Sequence, residues 1–225
     1  MNILAIIPAR EGSKSIPKKN IKLLGGKPLI GHMIDLAKSV PVINKIVVST
    51  DSEEIAAVAR EYGAEIPFLR PAELSTDVAP TLPVLQHCVK FLEDNENYKA
   101  GLVLLLFPTC PFLKKETVEN AIKILQNENY NSVMSVEEDY GRFWKLDETT
   151  NQHVPFYPLN YVNRQYYKPL LKENGAIYFS KYEVIMTGDK LTGEDTRLID
   201  KDSVKLILMN PDEVVDIDTP YDWNK

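Results

Sequence analysis

Four cations crowd a short loop near the start of the chain. Arg10, Lys14, Lys18 and Lys19 surround Gly12 and Ser13, and the loop ends at Asn20. The apolar run Ile3 to Ile7 delivers it to a sheet edge. Backbone N–H groups around Gly12 and Ser13, backed by these side chains, suit an anion such as phosphate. The charge is local: residues 1–27 hold six cations and one acid, a net of +5. The other 198 residues then carry −11 of a chain total of −6. A cationic island in an acidic chain points to a small polyanion and argues against a nucleic-acid or anionic-membrane surface.

The second constellation closes the chain: Asp216-Ile217-Asp218. In extended backbone the side chains at i and i+2 share a face, so both carboxylates project together and Ile217 turns inward. Paired carboxylates repel unless a cation lies between them. Hard oxygen donors suit Mg²⁺, with Mn²⁺ as an alternative, and phosphate oxygens complete the shell. The competing reading is a solvated strand end with two caps. A phosphate cradle together with a metal clamp is the minimum that nucleotidyl transfer needs.

Other chemistry lacks its motifs. There is no G-x-x-x-x-G-K-[ST] and no G-x-G-x-x-G, which disfavours P-loop and dinucleotide-binding proteins. No G-x-S-x-G supports acyl transfer. His32, His87 and His153 lie far apart and make a poor metal triad. The junction Val47 to Ile55, with Ser49, Thr50, Asp51 and Ser52, reads as helix capping.

These groups need a scaffold that brings them together. Apolar runs at 3–7, 45–49, 65–69, 101–107 and 131–136 alternate with helical patterns at 28–37, 52–62, 80–94 and 115–128. The sequence predicts an α/β fold: a Rossmann-like open, mostly parallel sheet flanked by helices. Further strands are expected at 174–180 and 204–209. Residues 138–172 are rich in Tyr, Phe, Trp, Asn and Pro with weak periodicity, and read as an insertion serving dimerisation. The expectation is one domain over 1–225. Its 44% apolar and 26% charged residues are ordinary for a globular protein. Isolated Cys88 and Cys110 suit a reducing compartment, and neither a leader nor a membrane span is evident, so a cytoplasmic protein is expected.

The motifs also carry a resemblance. Pro8-Ala9-Arg10-x-Gly12-Ser13-Lys14-x-x-Pro17-x-Lys19-Asn20 resembles the signature of the acylneuraminate cytidylyltransferases, the CMP-sialic acid synthetases. Further blocks follow in family order: Val48-Ser49-Thr50-Asp51, Leu69-Arg70-Pro71, Pro108-Thr109-x-Pro111, Asn174-Gly175-Ala176 and Asp216-Ile217-Asp218-Thr219. The resemblance implies a nucleotidyltransferase fold that joins CTP to a sialic-acid-like nonulosonic sugar acid and releases pyrophosphate.

The resemblance also implies roles. Arg10, Lys14 and Lys19 would hold the triphosphate, with Arg10, Lys19 and Asp218 as catalytic residues. Ala9, Gly12, Ser13, Asn20, Arg70 and Thr81 would complete the nucleotide site. Asp216 and Asp218 would hold the metal. Lys145 and Arg164 would reach the acceptor from a partner subunit of a homodimer, with the insertion exchanged. Phe107, Lys172 and Asn174 would border the acceptor. Phe107 stands where the family usually has Gln, and Lys172 where it commonly has Arg, which replaces a bidentate fork with a point charge. These departures leave open another sugar acid or a small phosphate ester as acceptor. Two other readings are a glycosyltransferase with a nucleotide-sugar donor and a silent nucleotide-binding module; no Asp-x-Asp lies mid-chain, that of Asp216 and Asp218 being near the C-terminus, which speaks against the first.

Overall fold

The computed structural model describes residues 1–156, 168–187 and 198–224. Strands are β1 (Ile3–Pro8), β2 (Leu23–Leu24), β3 (Lys27–Pro28), β4 (Lys45–Ser49), β5 (Leu102–Leu105), β6 (Ser132–Asp139), β7 (Trp144–Asp147), β8 (Gln152–Pro155), β9 (Leu170–Lys181) and β10 (Val204–Leu208). Helices are α1 (Leu29–Ser39), α2 (Glu53–Glu61), α3 (Thr81–Glu96), α4 (Lys115–Asn127), α5 (Tyr182–Thr187) and α6 (Pro220–Trp223).

The main sheet runs β10-β6-β9-β5-β1-β4. Strand β1 is parallel to β4 and β5, and β6 is parallel to β10, whereas β9 is antiparallel to both β5 and β6. The α/β, mostly parallel prediction is borne out. Alternation along β1 explains why its sequence is apolar throughout. Ile3, Ala5 and Ile7 face one core with α1, α2 and α4, while Leu4 and Ile6 face a second core with α3 and Ile185 of α5. A strand covered on both faces has no solvent side to mark with polar residues. No described helix is long and apolar enough to cross a membrane.

Two expectations need correction. The strand predicted at 65–69 is a single bridge between Glu65 and Val47. Pro67 has no N–H to give a ladder, and Leu69 is 44% exposed. The region 138–172 holds more regular structure than its weak periodicity implied. It contains the β7–β8 hairpin and the first residues of β9. Its segment 157–167, including Arg164, lies outside the described residues.

The β6–β9 pairing shifts register between Met134 and Val136. Gly175, at φ 74°, makes the turn that this irregularity requires. The Ser135 hydroxyl staples it, donating to Asn174 Oδ1 (2.6 Å) and accepting from the Ile177 N–H (2.9 Å).

Candidate active site

Strand β1 ends at Pro8 and the chain enters the cationic loop. Asn20 braces that loop from within, its Nδ2 donating to the Arg10 carbonyl at 2.9 Å. Lys18 adopts the left-handed conformation (φ 52°) just before the one-turn 3₁₀ helix Lys19–Ile21. Its ammonium is held by Glu54 at 2.6 Å. Lys19 then points across the molecule, where its Nζ donates to the Ile217 carbonyl (3.0 Å) and to Asp218 Oδ1 (2.8 Å).

The two ends are joined by more than this contact. Ile16 from the loop, Leu29 at the start of α1 and Ile217 from the final segment form a small core of their own. The Ile217 N–H also donates to the Thr109 carbonyl at 2.8 Å. Ile217 is buried between two exposed aspartates, as the alternation predicts, but only Asp218 lines the cleft and Asp216 does not.

A cavity of about 600 Å³ lies between the ends. Its wall includes Arg10, Ser13, Lys14, Lys19 and Asn20 from the first loop, and Asp218 and Thr219 from the last segment. Arg70 and Asp77 come from the connection before α3, Thr81 from its first turn, and Phe107 and Thr109 from the loop after β5. Gly12 does not line this cavity; it borders a second, more open hollow with Arg10, Ser13, Lys14 and Asp77.

Electrostatics distinguish the two sides. Arg70 is buried; its Nε donates to Ser75 Oγ at 3.1 Å, and one terminal nitrogen has no hydrogen-bond partner. The closest carboxylate to that nitrogen, on Asp51, lies 3.9 Å away. Burial pulls the Arg70 pKa down, Asp51 opposes this, and Arg10 adds to it. A buried guanidinium at a cavity wall is thus left with a donor to spare, which a polar ligand could satisfy. On the other side, Asp216 remains solvent-accessible, yet protein crowds its carboxyl. Its pKa is raised by burial first, with the Asp218 charge adding to the effect and a Thr109 hydrogen bond opposing it.

That pair suits a hard divalent cation. The Asp218 charge acts on Asp216, and a cation between the two would relieve that repulsion. Among the described residues no group of three or more His, Cys, Asp or Glu gathers as a ready cage. A cation bound here would take the rest of its shell from phosphate and water, as Mg²⁺ does in nucleotide sites.

Sequence reasoning missed two carboxylates. Asp77 accepts from both Arg10 and Lys14, the latter at 2.5 Å, and those partners, Lys14 foremost, hold its pKa below the usual range. Asp51 accepts the Glu11 N–H at 3.0 Å and so pins the loop. The capping reading of residues 49–52 is not what the structure shows. Ser52 occupies the N-cap position of α2 without a side-chain bond, and Thr50 Oγ1 accepts the Ser52 N–H instead. Asp51 closes the Val48-Ser49-Thr50-Asp51 block, and Asp77 follows a polar Ser75-Thr76 pair. Only the fold reveals their partners.

Several expected residues lie elsewhere. Ala9 is buried and donates its N–H to the Ser49 carbonyl at 2.9 Å. The Ser13 N–H closes a tight turn onto Glu11 (2.7 Å), so that donor is spent within the loop. Asn174 is committed to the β6–β9 staple and to Met209. Lys172 pairs with Glu137 at 2.9 Å, and Lys145 is exposed on β7. None of Ala9, Asn174, Lys172 and Lys145 lines the cavity. Phe107 does, with its ring edge-on to Tyr178 at 6.3 Å. Cys110 is buried beside Asp216, and burial with that negative charge pushes its thiol up to about 12, so it is inert.

A family model described as cytidylyltransferase matches residues 4–211. The chain belongs to the cytidylyltransferase family. As a cytidylyltransferase it is an enzyme of the nucleotidyltransferase class, which fits a cavity with the loop cations on one wall and Asp218 on the other. It is 38% identical over 229 residues to a CMP-N,N'-diacetyllegionaminic acid synthase of Legionella pneumophila subsp. pneumophila, covering 99% of this chain and 94% of that protein. It is 34% identical to a pseudaminic acid cytidylyltransferase of Campylobacter jejuni subsp. jejuni, covering 99% and 93%. Among solved structures, a CMP:2-keto-3-deoxy-manno-octonic acid synthetase complexed with CTP superposes with a TM-score of 0.67 at 17% identity, covering 98% of this cytidylyltransferase and 95% of that chain. That likeness bears on the fold alone.

Proposed function

We propose that this enzyme transfers CMP from CTP to the anomeric hydroxyl of a nonulosonic sugar acid of the legionaminate, pseudaminate or sialate type, releasing pyrophosphate. The new bond joins the acceptor oxygen to the α-phosphorus, the bond from that phosphorus to the bridging oxygen breaks, and the acceptor proton leaves to solvent or base. The observation that carries this reading is the meeting of Lys19 and Asp218 at the edge of one cavity. The names of the relatives supply the acceptor class.

In this reading Arg10, Lys14 and Lys19 neutralise the triphosphate and the charge that builds as pyrophosphate departs. Phosphoryl transfer depends on such positioning and neutralisation more than on a protein nucleophile. Arg70 and Thr81 face the nucleoside end, where the spare guanidinium donor finds an acceptor. Asp216 and Asp218 would hold Mg²⁺ or Mn²⁺, which supplies Lewis-acid polarisation of the phosphate and a template for the attacking oxygen. Phe107 borders the acceptor with an apolar face.

The functional unit is taken as a homodimer. The β7–β8 hairpin exposes Trp144 (54%) and Leu146 (49%), and a second copy is the occupant that covers them and lends Lys145 and Arg164. Use of CTP and two buried free thiols support a cytoplasmic setting.

A pyrophosphate-release screen tests the proposal, pairing each of the four common nucleoside triphosphates with a panel of nonulosonic acids, other sugar acids and phosphate esters. Release with CTP and a nonulosonic acid, lost on Asp218→Asn, is the expected result. Release only with a phosphate ester, or with a different triphosphate, contradicts it.

A further inference from the structure

Helix α4 begins without a cap of its own. Lys114 holds the N-cap position and makes no side-chain bond to the first turn. The missing acceptor comes from 99 positions away. Glu213 Oε2 accepts the Lys114 N–H at 3.0 Å and the Thr117 hydroxyl at 2.7 Å, while Asn210 Nδ2 donates to Oε1 at 3.3 Å. Glu213 is 1% exposed. A carboxylate buried there is stabilised by the unpaired N–H groups and the positive end of the helix dipole.

The segment that Glu213 pins is the one that carries the acidic pair. Between the end of β10 and the start of α6 it has no regular strand or helix. Its other fixed points include the Lys114 ammonium on Asp212 at 2.5 Å, which Lys114→Ser also removes, and the Thr109 hydrogen bond to the Asp216 carboxyl. They also include the Ile217 N–H on Thr109, the Lys19 ammonium on the Ile217 carbonyl and the buried Ile217 side chain. Asp216 therefore lies between two anchors, Glu213 on one side and Ile217 on the other. A pair of like-charged carboxylates pushes apart, and a segment with so few ladder bonds resists that only at its anchors.

We propose that Glu213 is a positioning residue for the metal pair: by clamping residues 210–218 onto the start of α4 it sets the spacing of Asp216 and Asp218 for a divalent cation. This rests on the proposed role of those two aspartates as metal ligands. A merely structural role makes a different prediction, because a cap for α4 can be supplied locally. Lys114→Ser places a hydroxyl at the N-cap position and frees the helix from its dependence on Glu213.

The test compares wild type, Lys114→Ser, Glu213→Ala, Glu213→Gln and the Lys114→Ser/Glu213→Ala double variant. Mn²⁺ affinity is read by water-proton relaxation both without nucleotide and with saturating CTP and no acceptor, alongside thermal unfolding. Glu213→Ala should lower the unfolding temperature and weaken Mn²⁺ about 10- to 100-fold, the range for residues that orient metal ligands. The double variant should regain thermal stability and keep the weakened Mn²⁺ binding, with Glu213→Gln intermediate. The proposal is overturned if the folded double variant binds Mn²⁺ as tightly as Lys114→Ser, or, should that protein not fold, if Glu213→Gln binds it as wild type does. Wild type that fails to bind Mn²⁺ both without nucleotide and with CTP is a distinguishable outcome: the two-aspartate clamp itself is then wrong, and this proposal falls with it.

Discussion

Lys19 Nζ lies 2.8 Å from Asp218 Oδ1 although 199 positions separate the two residues. The ion pair alone does not close the cleft. Asp218 is 64% exposed on its side chain, and pairs open to water contribute about 0–1 kcal/mol. Burying Ile16 and Ile217 against Leu29 contributes roughly 1.5–3 kcal/mol for each side chain. Apolar packing therefore joins the ends, and the charged pair is left free to exchange partners with a ligand.

In the proposed function Asp77 competes with the triphosphate for Arg10 and Lys14. Its carboxylate spans Arg10 and Lys14. Asp77→Asn removes that competitor, so CTP should bind a few-fold tighter by calorimetry, with the gain shrinking as salt rises. Weaker binding would show that Asp77 supports the loop instead.

Arg70 is buried with a fork of donors, one of them unused. Arg70→Lys keeps the charge and loses the fork. The KM for CTP should rise about tenfold or more, with kcat changed less, because the interaction lies away from the reacting phosphorus. Steady-state rates at varied CTP measure this, and an unchanged KM removes Arg70 from the nucleotide site.

His87 gives a pH signature to stability. Its Nδ1 is buried without a partner, the ring packs edge-on against Phe68 at 4.5 Å, and burial lowers its pKa. Below about 6.5 the unfolded chain takes up a proton that the folded chain resists. Stability should be fully present above that pH and fall as the pH drops toward the depressed folded-state value. His87→Phe should flatten this decline in urea titrations between pH 7.5 and 5. An equal decline in both proteins would assign it to other groups.

The exposed hairpin predicts oligomeric state. Sedimentation should show a dimer, and Trp144→Glu with Leu146→Glu should yield a folded monomer with much reduced turnover. A wild-type monomer with full activity would contradict the homodimer.

The two ends of the chain were legible because each rests on local pattern. A strand feeding a cationic loop and an i, i+2 acidic pair need no knowledge of the rest of the chain. The parallel core was legible from runs buried on both faces. Strand β9 was only half visible, since its first residues include Lys172, Glu173, Asn174 and Gly175, and the bulge there breaks alternation. The β7 and β8 strands are four residues each, too short to establish a period, and expose Trp144 and Leu146 where a monomer's pattern would be polar. Asp51, Asp77 and Glu213 stayed silent for one shared reason. Each acts on a partner at least 40 positions away, so its role exists only after folding.

Phosphorus NMR of the enzyme with CTP, Mg²⁺ and a nonulosonic acid tests the central claim most directly. The CTP resonances should give way to one phosphodiester and one pyrophosphate signal in equal molar amounts of product. Appearance of CDP and orthophosphate, or CTP left intact with every nonulosonic acid supplied, would contradict it.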